Sequence, residues 1–208
     1  MNKRLGNGFL ALGAVLVLAA LALYAYNCWE DNKAGQASAQ HLSELVAQIG
    51  DQSGQTPETV VLPEVSDEPL TPEECVMREV IIDGKAYIGY LSIPALELEL
   101  PILSQWSYEN LETAPCRYTG TMKGEDLVLL AHNYPKHFGK LSQLETGDEV
   151  LFTDMDGAVY RYHVAATDVV SATAVAEITA GNHALTLFTC TYGGKSRVTV
   201  YCDRMRES

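Results

Sequence analysis

From residue 86 onward the chain divides into short stretches of alternating or wholly apolar residues, separated by Gly, Pro, Asn and Asp. Alternation suits a strand with one buried face, because successive side chains point to opposite sides of a sheet. Eight such stretches stand at 86–93, 96–103, 117–121, 127–132, 149–153, 159–170, 184–191 and 197–204. Short strands separated by turn signals predict an all-β barrel or sandwich. Asp154-Met155-Asp156-Gly157 ends in the Asp-Gly pair of a hairpin connection, and residues 138–144 read as a short helix or turn before Gly147-Asp148. No internal repeat or low-complexity tract breaks the series.

Ahead of this region, residues 9–26 form a nearly uncharged apolar run. As a helix it would be about 27 Å long, close to the hydrocarbon thickness of a bilayer. Tyr24, Tyr26 and Trp29 at its end resemble an interfacial aromatic belt. The small-residue candidate for cleavage, Ala37-Ser38-Ala39, lies well beyond the run, so a retained anchor is favoured over a cleaved signal peptide. Lys3 and Arg4 precede the run while Glu30 and Asp31 follow it, which puts the short amino terminus in the cytoplasm and the rest of the chain outside.

The expected organisation is a cytoplasmic tip and membrane anchor at 1–29, a stalk and linker at 30–75, and a β-domain at 76–208. Within the middle part, Leu42, Leu45, Val46 and Ile49 have helical spacing, so residues 34–49 read as a short amphipathic helix, either a stalk or an element packed on the domain. Pro57, Pro63, Pro69 and Pro72 among several acids then predict a semi-extended linker.

With 14 Lys and Arg against 27 Asp and Glu, a net charge of -13, the chain lacks the clustered cations that nucleic acid requires. Five cysteines is an odd count, leaving at least one thiol unpaired or intermolecular outside the membrane. Cys28 sits at the membrane edge and Cys190 on a strand, so one disulfide among Cys75, Cys116 and Cys202 stays open. No CxxC or Cys/His spacing suggests a zinc site, and Glu125 and Asp126 are too ordinary to suggest calcium; no metal or other cofactor is expected.

Three residues carry the candidate chemistry. The strand Ala184-Leu185-Thr186-Leu187-Phe188-Thr189-Cys190 ends in a thiol, the run Leu127-Val128-Leu129-Leu130-Ala131 delivers His132 at its end, and Arg197 follows the cysteine by seven positions. A thiol is mostly protonated at neutral pH and attacks well only with a cation or base beside it. His132 suits proton transfer because imidazole titrates near neutrality, whereas His41, His137, His163 and His183 fall in stalk, loop, strand and strand approach. Arg197 offers fixed donors for a substrate carbonyl or a developing oxyanion. An acid completing a triad is defined by contact rather than order, so none is assigned.

These residues resemble a family. Thr186-Leu187-Phe188-Thr189-Cys190 fits the Thr-Leu-x-Thr-Cys signature of sortases, the cysteine transpeptidases of Gram-positive surfaces, and the order His, Cys, Arg is theirs too. The resemblance runs over residues 87–204 through Ile93-Pro94, Leu100-Pro101-Ile102, the strand before His132, and Phe138, Leu141, Leu144 and Gly147-Asp148. Ala131 stands where Gly is frequent and Asn133 follows the histidine as in class B members, yet residues 170–182 leave no room for the long class B helix, so the subclass stays open.

The resemblance implies a closed eight-stranded barrel with Cys190 as nucleophile, His132 as acid and base, and Arg197 as substrate and oxyanion stabiliser. It further implies cleavage of a Leu-Pro-x-Thr-Gly-like sorting signal through a thioacyl-enzyme. The partners would be sorting-signal-bearing surface proteins or pilins, and the acceptor an amine of a peptidoglycan precursor or a pilin lysine. Thr189 and the 171–183 loop, with Ser171, Ala174, Val175 and Ile178, would contact the substrate. The competing reading is a non-catalytic β-domain, anchored to the membrane, that binds a wall or membrane partner.

Overall fold

The structure, a computed structural model, describes residues 3–52 and 76–205. The proline-rich part of the linker, Cys75 and residues 206–208 lie outside the described residues. One helix, α1 (Lys3–Gln52), runs on where the composition turns from apolar to polar. Nothing in the sequence stops it: the first proline is Pro57, and the Ala, Gln, Leu and Glu residues after 33 are good helix formers. The chain forms two compact units, Met1–Lys33 and Ala34–Ser208. In the first, α1 is apolar and long enough to cross a membrane, and side chains such as Leu10 and Leu18 are 76% and 66% exposed, a surface suited to lipid.

In the second unit, the helix buries Ala34, Ser38, His41 and Leu45, spaced as one helical face. That stripe is rotated from the one expected: Leu45 is buried, but Val46 is 46% exposed and two polar residues take inward positions. They are tolerated because each is hydrogen-bonded to the barrel, Ser38 to the Thr113 carbonyl and His41 to the Tyr87 hydroxyl.

Among the described residues, nine strands follow: β1 (Val80–Ile82), β2 (Lys85–Ile93), β3 (Leu98–Leu103), β4 (Cys116–Thr119), β5 (Leu127–Ala131), β6 (Glu149–Asp154), β7 (Val159–Ser171), β8 (Leu185–Cys190) and β9 (Ser196–Arg204). Eight match the stretches read from the sequence. They form a ring in the order β2-β3-β4-β5-β8-β9-β7-β6, and β6 returns to β2, with Gly89 opposite Asp154. The ring is the closed barrel of eight strands. β1 is additional, a hairpin partner of β2 across Asp83-Gly84, whose φ values of 49° and 75° fit a two-residue primed turn.

β2 passes from β1 to β6 at a bulge between Tyr87 and Gly89. Gly89 adopts φ 145°, and a Cβ there would run into the Thr153 carbonyl, so closure of the ring at this point needs glycine. The barrel interior is filled by fully buried Ile88, Leu91, Ile102, Leu127, Leu129, Phe138, Phe152, Tyr162, Leu187 and Val200. Outside it, Val128, Val170, Ile178 and Phe188 form a second cluster. β5 and β8 are therefore covered on both faces, which explains why 127–131 is a continuous apolar run rather than an alternating one.

Among the described residues, four short helical turns connect strands: 3-10 turns at Pro94–Leu96 and Leu141–Gln143, and α2 (Tyr108–Leu111) and α3 (Val175–Ile178), which both reach one cleft. Ser107 caps α2, its hydroxyl accepting from the Asn110 amide at 3.0 Å.

Candidate active site

β5 and β8 are parallel and in register, Ala131 opposite Thr189, so His132 and Cys190 occupy the next level of the sheet together. Thr189 Oγ1 donates to the Ala131 carbonyl at 2.8 Å in a buried hydrogen bond that ties the two strand ends. On the other side of β8, Cys190 pairs directly with Arg197 of the antiparallel β9. Strand pairing alone thus gathers the three candidate residues at one rim of the barrel.

His132, Cys190 and Arg197 all line a cleft of about 260 Å³. Each is half-buried. Arg197 Nη1 donates to the carbonyls of Gly194 and Ser196 at 3.0 and 3.1 Å, which holds the guanidinium against the β8–β9 turn. That turn uses Gly193 and Gly194 at φ 80° and 71°, backbone that glycine adopts without a Cβ penalty.

Of the candidate substrate contacts, Thr189, Val175 and Ile178 line the same cleft. Ser171 does not; it closes β7, and its hydroxyl hydrogen-bonds that of Thr173 at 3.0 Å. The cleft is also lined by aromatic residues that were not read from the sequence. Trp106 stacks on Tyr118 at 5.8 Å and meets Tyr108 edge-on at 6.0 Å, while Phe188 meets Tyr118 edge-on at 5.6 Å. Trp106 and Tyr108 remain 43% and 80% exposed, and two exposed aromatics within three residues are the signal that marks this lining.

Of the other histidines, His163 lies within β7 opposite Glu149 of β6 and Asp203 of β9, and three have side-chain partners away from the cleft. His137 is fully buried and bonded to Ser38, His41 meets Tyr87 and Asp83, and His183 pairs with Asp203 at 2.7 Å. Cys116 and Cys202 are free thiols buried in the barrel, and burial pushes each up to about 12. Among the described residues, no group of three or more His, Cys, Asp or Glu could hold a metal ion. A half-buried thiol sharing a cleft with an imidazole and a fixed guanidinium is equipped for nucleophilic attack and proton transfer at a carbonyl.

A closed eight-stranded barrel carrying this rim has the architecture of the sortases. The Sortase domain model matches residues 91–205, more than half of the chain, and the chain belongs to that family. It is 29% identical to Sortase A of Bacillus anthracis over 133 residues, 57% of this chain and 59% of that one, so the match spans about three-fifths of the relative. Among solved structures, sortase C1 of Streptococcus suis is 26% identical with a TM-score of 0.53, covering 59% of this chain and 74% of that one. The Sortase D5 transpeptidase of Clostridium perfringens, 18% identical, shares the fold over 82% of this chain and 99% of that one at a TM-score of 0.58.

Proposed function

We propose that this sortase is a membrane-anchored cysteine transpeptidase whose β-domain works outside the cytoplasm, with Cys190, His132 and Arg197 as its chemical groups. The observation that carries the reading is the shared register of β5, β8 and β9, which brings the three to one cleft although 58 residues separate the first two strand ends.

In this mechanism the Cys190 thiolate attacks the carbonyl carbon of the Thr residue in a Leu-Pro-x-Thr-Gly-like signal. The negative charge gathers on the carbonyl oxygen, where Arg197 supplies donors; with Nη1 held by the turn, Nε and Nη2 remain for that purpose. As the tetrahedral intermediate collapses, the C–N bond breaks and His132 gives its proton to the departing glycine amine, leaving a thioester on Cys190. An acceptor amine of a peptidoglycan precursor or a pilin lysine then attacks, His132 takes its proton, and the thiolate departs. The product is the surface protein or pilin joined to the acceptor through a new amide. Val175, Ile178 and Thr189 line the cleft beside this chemistry and would contact the signal peptide.

The test is mass spectrometry of the full chain in detergent micelles, incubated with a library of sorting-signal peptides and triglycine. A mass adduct on Cys190 that passes to triglycine is the expected result. Cys190→Ala abolishes it, His132→Ala lowers the rate by about 10²–10⁴, and Arg197→Ala lowers it by about 10²–10³. Full turnover by Cys190→Ala would overturn the mechanism. Absence of any adduct from wild type would favour the binding-module reading.

A further inference from the structure

The loop that carries His132 away from β5 is closed by its own backbone. Phe138 N donates to the His132 carbonyl at 3.2 Å, and the amides of His137 and Gly139 both donate to the Tyr134 carbonyl at 2.9 Å. Gly139 packs so tightly that a Cβ would lie 2.5 Å from the Asn133 carbonyl and 2.7 Å from that of Tyr134. Residues 132–139 therefore behave as one rigid piece, and what fixes that piece on the barrel also fixes the histidine.

The fixing contact comes from α1. Ser38 Oγ donates to the Thr113 carbonyl at 2.8 Å and lies 3.1 Å from His137 Nε2. A serine hydroxyl has one hydrogen, and Thr113 takes it, so His137 Nε2 carries the proton and donates to Ser38. This assigns the proton on Nε2 of a ring that is fully buried. One turn earlier, Gly35 stands against the Lys136 side chain, so that a Cβ on the helix would displace it; helix and loop meet at two consecutive loop positions. From His137 the contact continues through rings. Tyr134 lies 5.8 Å from His137 and 5.0 Å from His132, centroid to centroid, in ring contact with both imidazoles.

We propose that Ser38 and Tyr134 are positioning residues for His132: the Ser38–His137 hydrogen bond docks the loop on α1, and the Tyr134 ring, in contact with both histidines, holds the His132 imidazole in its working orientation. The inference rests on the reading of His132 as acid and base. General acid–base transfer demands that the imidazole stay within a fraction of an ångström of its productive place, so a ring released from its support loses rate without losing substrate binding.

The test uses the full chain in micelles with ¹³C-labelled histidine, the His132 resonance being assigned by its loss in His132→Gln. Four variants are compared: Ser38→Ala and Tyr134→Leu, which remove a link, and Ser38→Thr and Tyr134→Phe, which keep the hydroxyl and the ring. The expected result is that the first pair moves the His132 ring resonance and its titration midpoint and the second pair restores both. With a Leu-Pro-x-Thr-Gly peptide and triglycine, the first pair should lower kcat by about tenfold with KM within about twofold. The double variant Ser38→Ala/Tyr134→Leu should be little slower than Tyr134→Leu alone, because both lie on one line of contact.

An unmoved His132 resonance in both Ser38→Ala and Tyr134→Leu overturns the inference, as does a loss confined to KM. Thermal midpoints are followed in parallel, and since Tyr134→Leu leaves the buried Ser38 bond intact, it tests the ring link even where Ser38→Ala fails to fold. A resonance that follows Ser38 in a chain that never forms a thioester would overturn the reaction assigned to His132 while upholding the support of its ring.

Discussion

Three cysteines of this chain differ in what surrounds them, and their reactivity should differ accordingly. Cys190 is half-buried on the cleft, whereas Cys116 and Cys202 are fully buried and their thiols are pushed up to about 12 by loss of water. The thiolate is the reactive form, so raising the pKa suppresses reaction at any pH below it, and at pH 8 both buried thiols stay protonated. Iodoacetamide at that pH should modify Cys190 and spare Cys116 and Cys202 until denaturant returns both to ordinary thiol behaviour. Peptide mapping checks this, and labelling of Cys202 in the folded chain would contradict the burial argument. At this scale the strand-end positions of Cys190, His132 and Arg197 were legible, because an alternating or continuous apolar run begins or stops at each of them. The burial of His137 was not: its partner Ser38 is 99 positions away, and a histidine in a polar loop reads as surface.

The strands were legible as elements because most present one apolar face, and even the doubly covered β5 is bounded by turn residues. β1 escaped notice at three residues, although the Asp83-Gly84 pair that makes its hairpin is a recognisable turn signal. The helix over 34–52 was legible in type but not in orientation, since Ser38 and His41 look like outward positions until their barrel partners are known. Its anchoring residue is Leu45, fully buried among Ile82, Tyr87, Leu103, Leu111 and Met155. Truncating a buried leucine removes its transfer energy and leaves a cavity, so Leu45→Ala should cost about 3 kcal/mol. For a unit of this size that lowers Tm by roughly 6–12 °C in a thermal melt. Exposed Val46, on the same turn, serves as the comparison: Val46→Ala should shift Tm by no more than about 2 °C, a surface-sized effect. Equal shifts at 45 and 46 would mean that this face of the helix is not the one that docks.

Closure of the ring was the least legible feature of the whole molecule. β2 meets β6 and β5 meets β8 across long stretches of intervening chain, and local pattern carries no record of such pairings; the expectation of a barrel over a sandwich came from resemblance. The expectation for membrane orientation, by contrast, comes from local charge. Lys3 and Arg4 lie before the apolar run, and Glu30 and Asp31 after it, so translocation should leave the β-domain and its excess of acids outside. The inert thiols make this measurable. In a Cys28→Ser/Cys75→Ser chain, Cys190 is the reactive cysteine that remains, because Cys116 and Cys202 stay protonated in the barrel. A membrane-impermeant maleimide added to intact cells expressing that chain should label it at Cys190, with no further labelling after the membrane is opened. Reversing the charges, with Lys3→Glu and Arg4→Glu on one side and Glu30→Lys and Asp31→Lys on the other, should move a fraction of the molecules to the protected side. Labelling of the parent chain only after permeabilisation would place the cleft in the cytoplasm, away from any cell-wall acceptor, and would remove the setting that the proposed transfer requires.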